Sequence, residues 1–514
     1  MSIDIRADHP QGSPMPSTRA GVREWSALVV LMLPVLLVSV DNTVLSFALP
    51  AISTSLDPSS NQLLWIVDIY PLMLAGLLVA MGSLGDRIGR RKLLLIGAAG
   101  FGAVKIVAAY SASPEMLIAS RAMLGVFGAT LMPSTLSLLR NIFTDRGQRR
   151  LAIAVWASAF AGGAALGPVL GGWLLEHFWW GSVFLITVPV VVALIPAVLL
   201  LVPESKDPAP GRVDPASIAL SLATMLPVVY AIKVFAENGW SYGVLSAITV
   251  GIAAGAAFVR RQLASPTPML DVRLFANPVF SGAVMSNLLS ILGFAGFLFF
   301  VAQFLQLVVG LSPMEAGTVL VPGLIASIIA GLVAVRLVRI IRPHVLIGGS
   351  FALSAAGYAI AAFVGEVPTV LSICVAFVAV GVGIGLAETL TNDIIIATAP
   401  AEKSGAASAI SETAYEVGSV LGTAVLGSIL MSTYRSDMSV PAAVPADDAH
   451  LATETLGGAV EVANGLGAAG DALLQSAHLA FDNGIQVTCT IGIVIALGAA
   501  AVSALTLRGA DTDA

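Results

Sequence analysis

Long apolar runs separated by short polar segments make up most of the chain. A run of about 20 residues is long enough to cross a bilayer as a helix. A bilayer tolerates helices, whose backbone hydrogen bonds close internally, and little else. The pattern therefore predicts an all-α membrane protein with fourteen transmembrane helices, at roughly residues 26–50, 62–84, 92–111, 116–139, 150–176, 182–202, 214–236, 240–262, 278–309, 313–338, 343–365, 367–398, 403–433 and 485–507.

Positive charges alternate between the segments that join these runs. Of the 25 lysines and arginines, 21 lie in the terminal tails or in every second connection, and three lie inside predicted helices. Arg435 alone lies in the other set of connections. Cytoplasmic segments are enriched in Lys and Arg, so this bias and the even number of helices place both termini in the cytoplasm.

The connections also suggest two six-helix halves with an inserted helix pair. Polar linkers at 203–213 and 263–277 border the seventh and eighth runs, and the basic segment 331–342 is a degraded copy of the loop at 82–95. Internal repeats of this kind are common in secondary transporters. The predicted parts are an N-terminal tail at 1–25, a first half at 26–202, a linker with the inserted pair at 203–277, a second half at 278–507 and a C-terminal tail at 508–514.

The one long connection, residues 434–484, is acidic and is expected on the outer side. Its seven carboxylates stand against Arg435, which gives a net charge of −6. Spaced apolar residues such as Leu451 and Leu456 suggest amphipathic helix near the outer face. The segment is either a solvated acidic loop or a vestibule that concentrates cations by long-range attraction.

Composition narrows the class of protein further. The chain is 57% hydrophobic and 11% charged, with a mean hydropathy of +0.92, which excludes a chain of water-soluble domains. The net charge gives no reason to expect nucleic acid, and the sequence has no phosphate-binding glycine loop for a nucleotide. Two cysteines and five histidines form no metal or disulfide pattern. We therefore expect that the protein is not an enzyme and binds no cofactor. The energy for any transport must then come from an ion gradient.

A charged turn with several glycines joins the second and third runs. Its sequence, Gly82-Ser-Leu-Gly-Asp-Arg-Ile-Gly-Arg-Arg-Lys-Leu-Leu-Leu95, combines glycines that let the chain bend with cations that mark a cytoplasmic surface. A basic loop of any membrane protein is the plain alternative. The detailed order resembles the signature loop of the major facilitator superfamily, which implies a secondary transporter. The gating residues predicted here are Gly82, Asp86, Arg87, Gly89 and Arg90.

Six acids and three cations interrupt the apolar runs. An ionised carboxylate at a helix centre costs about 2.5–3.5 kcal/mol on insertion scales, so it persists there only when paired, protonated or facing water. The excess of acids predicts a cavity that suits a cation, with protons as its natural competitor. We expect Lys105 to partner an acid and Lys233 to extend to the outer surface. The acids are Asp41, Asp68, Glu388, Asp393, Glu412 and Glu416, and the cations are Lys105, Arg121 and Lys233.

The first predicted helix contains Val40-Asp-Asn-Thr-Val-Leu-Ser-Phe-Ala-Leu-Pro50, which resembles a motif of the fourteen-helix drug:proton antiporter family. The resemblance implies that Asp41 is a protonation site, although it could instead hydrogen-bond a neighbouring helix. Arg121 matches the fourth-helix arginine of the family. A guanidinium in a bilayer needs a carboxylate, and Asp41 or Asp86 could supply it.

The second predicted helix contains Leu64-Trp-Ile-Val-Asp-Ile-Tyr70, which is similar to the quaternary ammonium efflux pumps of the QacA/SmvA type. We expect Asp68 to bind a lipophilic cation with Trp65 and Tyr70 beside it, because carboxylates and aromatic faces both attract cations. Trp65 could instead belong to an interfacial aromatic belt.

The fifth run contains Gly163-Ala-Ala-Leu-Gly-Pro-Val-Leu-Gly-Gly172, which resembles the antiporter motif of the family and favours export over import. Small residues allow close helix packing and a proline kinks the helix, so we expect this helix to rock against the eighth. The residues concerned are Gly163, Gly167, Pro168, Gly171 and Gly172.

Two acids lie four residues apart in the thirteenth run. Glu412 and Glu416 share a helix face, and two like charges in one dry site cannot both ionise cheaply, so one should hold a proton. They resemble the thirteenth-helix acids of the family, except that Ser411 replaces the first glutamate of the pumps with a double Glu. The tenth run lacks the acid of some members, which weakens the case for divalent cations. Glu388 and Asp393 either compensate or lie at the cytoplasmic mouth.

Together these features predict a proton-coupled antiporter that exports lipophilic cationic drugs, dyes and quaternary ammonium compounds by alternating access. An exporter of an endogenous metabolite or lipid on the same scaffold is the alternative. We expect a multi-pass protein of a bacterial inner membrane that works as a monomer among membrane lipids. Proton coupling is assigned to Asp41, Arg121, Glu412 and Glu416, and substrate binding to Asp68, Trp65, Tyr70, Glu388, Glu412 and Glu416.

Overall fold

The structure is a computed structural model that describes residues 20–207, 214–266, 268–363, 369–400, 403–464 and 466–510. Across these ranges the chain is helical and contains no β-strand. Within these ranges, fourteen helices are long and apolar enough to cross a membrane, which confirms the predicted number. They are α1 (Val22–Leu56), α2 (Ser60–Ile88), α3 (Arg90–Ala109), α4 (Pro114–Ile142), α5 (Arg146–His177), α6 (Ser182–Leu201), α7 (Pro215–Asn238), α8 (Tyr242–Ala264), α9 (Pro278–Val308), α10 (Pro313–Leu337), α11 (Pro343–Phe363), α12 (Val370–Thr398), α13 (Ser404–Gly422, continued through a π-helical turn and Ser428–Asp437) and α14 (Ala468–Thr506).

Polar residues determine where several of these helices begin. The hydroxyl of Ser59 accepts a hydrogen bond from the backbone N–H of Gln62 at 3.2 Å, at the start of α2. At α10, Ser312 and Glu315 form a reciprocal capping box, and Pro313 takes the first helical position. Such residues pair the N–H groups that a helix leaves free at its first turn. Short polar segments can therefore end one span and start the next.

Helices α1–α6 pack with one another, and so do α9–α14. The two groups meet where α5 packs on α10 and where α2 packs on α13. A Cβ added at Gly172 of α5 would come within 2.7 Å of the Met314 backbone, and one added at Gly317 of α10 within 2.5 Å of the Pro168 carbonyl oxygen. Small residues thus let the two groups approach closely. These contacts lie toward the end of the bundle that carries residues 438–464, here called the loop end.

The helices α7 and α8 form a hairpin beside the first group. α7 packs against α2 and against the last part of α13, whereas α8 packs mainly on α7. Asp214 joins the two helices at their other end, where its carboxylate accepts hydrogen bonds from Arg261 Nε and Nη2 at 2.8 and 2.9 Å. Hydrogen bonds from Arg261 and then Ser217 hold the pKa of Asp214 well below its usual range.

The connection between α13 and α14 is shorter than the predicted loop at 434–484. α13 continues to Asp437, and α14 begins at Ala468, well before the predicted start at residue 485. The added part of α14 is amphipathic, because Leu473, Ala477 and Phe481 are buried at helical spacing while polar residues such as Asp471, Gln475 and Asn483 are exposed. A search for wholly apolar runs therefore misses this stretch.

Two short helices, Ala446–Glu454 and Leu456–Asn464, fill the remaining connection. The hydroxyls of Ser53 and Thr455 lie 3.0 Å apart, and the backbone N–H of Ser60 donates to Glu454 Oε2 at 2.9 Å. The amphipathic helix expected in this segment is therefore present, and it packs on the ends of α1 and α2.

Candidate substrate and proton sites

Asp41 lies near the middle of α1 and contacts two cations from other helices. Its Oδ1 accepts a hydrogen bond from Lys105 of α3, and its Oδ2 accepts one from Arg121 Nη1 of α4 at 2.9 Å. The exposed fraction of the Asp41 side chain is 5%, and both cations are buried. The expectation that Lys105 partners an acid is therefore confirmed. One carboxylate between two cations gives this cluster an excess of positive charge and stabilises the ionised form of Asp41.

Arg121 connects this cluster to the backbone of α2. Its Nε donates to the carbonyl oxygen of Ile66 at 3.1 Å, and its guanidinium lies 4.7 Å from the centre of the Tyr70 ring. Of the two carboxylates that could pair with Arg121, the structure brings Asp41 to it. Arg121 thus ties α1, α2 and α4 together at one buried point.

Asp68 of α2 pairs with Lys233 of α7, and both side chains are almost wholly buried. Lys233 Nζ lies 2.9 Å from Asp68 Oδ2 and 4.0 Å from the centre of the Trp65 ring. The prediction that Lys233 extends to the outer surface is wrong. Its position on α7 faces α2, so its ammonium meets a carboxylate and an aromatic ring inside the bundle.

The two aromatic residues expected beside Asp68 lie in different clusters. Trp65 is close to one helical turn from Asp68 and contacts Lys233. Tyr70 is two residues further along, which places it on the other side of α2, against Arg121. Its hydroxyl is buried and has no described hydrogen-bond partner. Trp65 therefore belongs with Asp68, and Tyr70 belongs with the Asp41 cluster.

The acids of α13 have a different environment. Glu416 is 3% exposed, and its Oε2 is buried without a hydrogen-bond partner in the described parts of the chain. Glu412, one turn earlier, is half-buried, and no described lysine or arginine lies within ion-pair distance of either carboxylate. An unpaired buried carboxylate is costly in its ionised form, so this helix face can hold a proton or a cationic ligand.

The two acids of α12 occupy different surroundings. Glu388 is half-buried, and Tyr415 of α13 is close enough to interact electrostatically with both Glu388 and Glu416. Asp393 is exposed, five residues before the end of α12. Glu388 thus joins the acids of α13, and Asp393 lies outside that group.

The loop at 82–95 is a tight junction between α2 and α3. Gly89 adopts a φ of 111°, a backbone conformation that favours glycine. Asp86 Oδ1 accepts from Arg90 Nη2 at 2.7 Å, so this acid is engaged by its neighbour and not by Arg121. Gly82 packs beside Pro133 of α4, and Arg87 is exposed.

The segment that follows α6 docks on this loop. The carboxylate of Glu204 accepts hydrogen bonds from two backbone N–H groups in the first turn of α3, at 3.0 and 3.2 Å. Arg90 also donates from its backbone N–H to the carbonyl oxygen of Ser205 at 2.9 Å. A carboxylate at a helix N-terminus is favoured by the helix dipole. The sequence indicates only a polar linker here, because a contact between distant segments leaves no periodic signal.

The glycines of α5 pack against α1 and α10. Added Cβ atoms at Gly163 and Gly167 would clash with Ser39 and Thr43 of α1, and Gly171 faces Val44 of the same helix. Gly172 and Pro168 contact α10 instead. The expectation that α5 rocks against the eighth helix is wrong. The α8 helix belongs to the α7–α8 hairpin, which lies outside the interface between α5 and α10. The helix of the second group that packs on α5 is α10.

Comparison with known proteins identifies the fold. A family model described as Major Facilitator Superfamily matches residues 31–423. The chain belongs to the major facilitator superfamily. A bacterial homologue of the human lysosomal transporter Spinster, solved in an inward-facing, unoccupied conformation, has the same fold, with a TM-score of 0.65 and 17% sequence identity over 96% of this chain and 100% of that one.

Similar sequences include proteins named for drug efflux, resistance or export. The multidrug efflux pump LfrA of Mycolicibacterium smegmatis is 52% identical over 97% of this chain and 99% of its own length. The methyl viologen resistance protein SmvA of Salmonella typhimurium is 36% identical over 89% of this chain and 93% of its own. The tetracenomycin C resistance and export protein of Streptomyces glaucescens is 31% identical over 98% and 96%. This superfamily member is thus a membrane-spanning drug efflux transporter and not an enzyme.

Proposed function

We propose that the chain is a proton-driven antiporter that exports lipophilic organic cations. The observation that supports this most directly is the group of half-buried and buried acids on α12 and α13, namely Glu388, Glu412 and Glu416. Glu416 has a buried carboxylate oxygen without a described hydrogen-bond partner, and no described lysine or arginine forms an ion pair with Glu388, Glu412 or Glu416. Acids in this state are stable in a membrane when they hold a proton or a cation.

Aromatic and apolar surroundings favour cations of the lipophilic kind. Trp65 presents its ring face to an ammonium beside Asp68, and Tyr70 presents its ring to a guanidinium. One relative is named for resistance to methyl viologen, which is an aromatic dication. We propose that quaternary ammonium compounds and cationic dyes are the transported substrates. Asp68, Trp65 and Glu388 are among the residues that bind them, and Tyr70 supports the site by packing against Arg121.

Proton coupling follows from competition for the same carboxylates. A cation and a proton that neutralise one acid exclude each other, so binding of one releases the other. We propose that Glu412 and Glu416 exchange proton for cargo, while Asp41 with Arg121 responds to the change of conformation. Expelling a monovalent cation for one proton moves no net charge, whereas net movement of one charge costs about 2.3 kcal/mol per 100 mV.

The membrane arrangement is also part of the proposal. We place the protein in the cytoplasmic membrane of a bacterium as a monomer, with both termini in the cytoplasm and the loop end outside. The loop at 82–95, docked on Glu204, would then gate the cytoplasmic side, and the glycines of α5 would gate the other.

Dye uptake by inside-out membrane vesicles tests this function. Energised vesicles that contain the wild-type protein should accumulate ethidium, and a protonophore should abolish the accumulation. Glu416→Gln removes the exchangeable proton and should lower the initial rate about tenfold or more. Asp393→Asn changes an exposed acid of the neighbouring helix and should leave the rate within about twofold. Uptake that persists with the protonophore, or equal rates in wild type and Glu416→Gln, would contradict the proposal.

A further inference from the structure

Lys233 places its own ammonium in the site that the proposed function gives to the cargo. Nζ lies 2.9 Å from the Asp68 carboxylate and 4.0 Å from the centre of the Trp65 ring. Apolar side chains of α2, α7 and α13 surround the pair, including Leu72, Val229 and Val420. A carboxylate, an aromatic face and an apolar wall are the features that bind a lipophilic ammonium. The α7–α8 hairpin thus supplies a cation that occupies this site.

The contacts of this pair are few. Among the described residues, Lys233 Nζ contacts Asp68 as an ion pair and makes no hydrogen bond, and the hydroxyl of Thr423 of α13 lies near the Asp68 carboxylate. Burying two charges is costly unless further hydrogen bonds surround them. A second cation could therefore take the carboxylate without breaking a larger network. This distinguishes the pair from the Asp41 cluster, where Arg121 also bonds the backbone of α2.

A pocket leads from Lys233 toward the loop end and offers its ammonium another carboxylate. Asn61, Glu237 and Arg435 line this pocket with Lys233. Glu237 lies four residues after Lys233 on the same face of α7, and its side chain is 26% exposed. Arg435 Nη1 lies 3.4 Å from Glu237 at the partly exposed mouth, where an ion pair contributes little stability. A lysine and a glutamate four residues apart on a helix are neighbours, so Glu237 lies within reach of the Lys233 side chain.

We infer that Lys233 is a tethered competitor of the cargo at Asp68. Its ammonium holds the carboxylate when the site is empty and moves toward Glu237 when a lipophilic cation binds. This inference rests on the proposed function. The empty site is neutral without a proton, so the coupling protons are carried by other acids. Lys233 is then a positioning residue that sets selectivity. A cation displaces its ammonium only if that cation binds Trp65 and the apolar wall more favourably than the ammonium does.

Ethidium binding to the purified full chain in lipid nanodiscs tests the inference by fluorescence anisotropy. When a competitor occupies a site most of the time, the apparent dissociation constant rises by the inverse of the free fraction. Lys233→Met should therefore bind ethidium about tenfold or more tightly than wild type. Lys403→Met is the matched control, because Lys403 pairs with Asp271 at 2.6 Å outside the spans, and its affinity should equal that of wild type. Unchanged or weaker binding by Lys233→Met would overturn the inference.

Replacement of the missing ammonium gives a second readout. Lys233→Ala leaves space for n-propylammonium, which should compete with ethidium in this variant at concentrations that have no effect on wild type. n-Propanol has a similar shape without the charge and should not compete. Equal competition in wild type and variant, or equal effects of the alcohol and the ammonium, would overturn the inference. If wild type itself binds no ethidium, the proposed function fails, whereas binding by wild type with no gain in the Lys233 variants defeats the inference alone.

Discussion

At the scale of single residues, the buried charges form groups of different sign. Asp41 is shared by Lys105 and Arg121, so the first group carries a net positive charge. Asp68 and Lys233 neutralise each other. No described lysine or arginine forms an ion pair with Glu388, Glu412 or Glu416. On the proposed function, the first half holds fixed charge that responds to the conformation, and the second half holds the acids that exchange protons.

Asp41→Asn should destabilise the protein more than Lys105→Met does. The asparagine leaves two buried cations without a carboxylate, and breaking a buried ion pair from one side costs about 3–5 kcal/mol. Lys105→Met removes one cation and leaves the Arg121–Asp41 pair intact, so its cost should be smaller. Thermal unfolding of the purified variants in one detergent measures the order of stability.

The same variants separate stability from transport. Asp41→Asn should also abolish ethidium uptake in energised vesicles at equal protein level. An Asp41→Asn variant as stable as wild type would show that the two cations do not depend on this carboxylate.

The partners of the buried charged residues can be predicted only in part from the sequence. The motif around Asp41 and the need of Arg121 for a carboxylate indicate the correct pair. The partner of Lys233 could not be predicted, because a lysine near a helix end can reach water or a neighbouring helix equally well. Tyr70 was grouped with Asp68 because the two are close in sequence, although two residues of helix turn them to opposite sides.

At the scale of helices, glycines decide which neighbours come close. Along α5, three glycines face α1, and Gly172 faces the Met314 backbone of α10 near the loop end. Backbone atoms cannot move aside as a side chain can, so Gly172 limits how closely the two halves approach. Sequence patterns indicate that α5 packs closely, but not that its partner is α10, because hydropathy does not specify which helix a face meets.

Gly172→Ala should force the halves apart at the loop end and slow transport. The added methyl would lie 2.7 Å from Met314 Cα and from the Pro313 carbonyl oxygen, so α5 and α10 must separate. Gly162→Ala is the matched control, because no atom lies within 4 Å of its added methyl and alanine favours the helix. Spin-label distances between the loop-end segments of α5 and α10 should lengthen in Gly172→Ala alone. Identical distances and dye uptake rates in both variants would refute this role.

At the scale of the whole molecule, hydropathy predicts the architecture well and its details less well. Fourteen apolar runs correspond to fourteen helices, since each span must satisfy its own backbone in the membrane. The amphipathic start of α14 was missed because it lies against α13 and needs no continuous apolar run. The docking of Glu204 on α3 was missed because it joins segments more than 100 residues apart. Tertiary contacts of this sort are set by packing and not by local pattern.

The two halves of the bundle touch near the loop end, and the acids are concentrated in the second half. The hairpin of α7 and α8 adds a cation to the interface between the halves, because Lys233 reaches Asp68 beside the π-helical turn of α13. Movement of the halves would therefore change the surroundings of Asp68 and of Glu416 together. Such shared surroundings are what coupling of two ligands requires.

Proton exchange by the purified protein tests the central claim most directly. Proteoliposomes that contain a trapped pH-sensitive dye report proton movement when tetraphenylphosphonium is added outside under conditions that clamp the membrane potential. Wild type should move protons out of the liposomes as the cation enters, and Glu416→Gln should reduce this signal about tenfold or more. An anionic dye of similar size should give no signal. If the cation produces no proton movement in wild type, or if the anion produces it, buried acids do not exchange protons for cationic cargo in this protein.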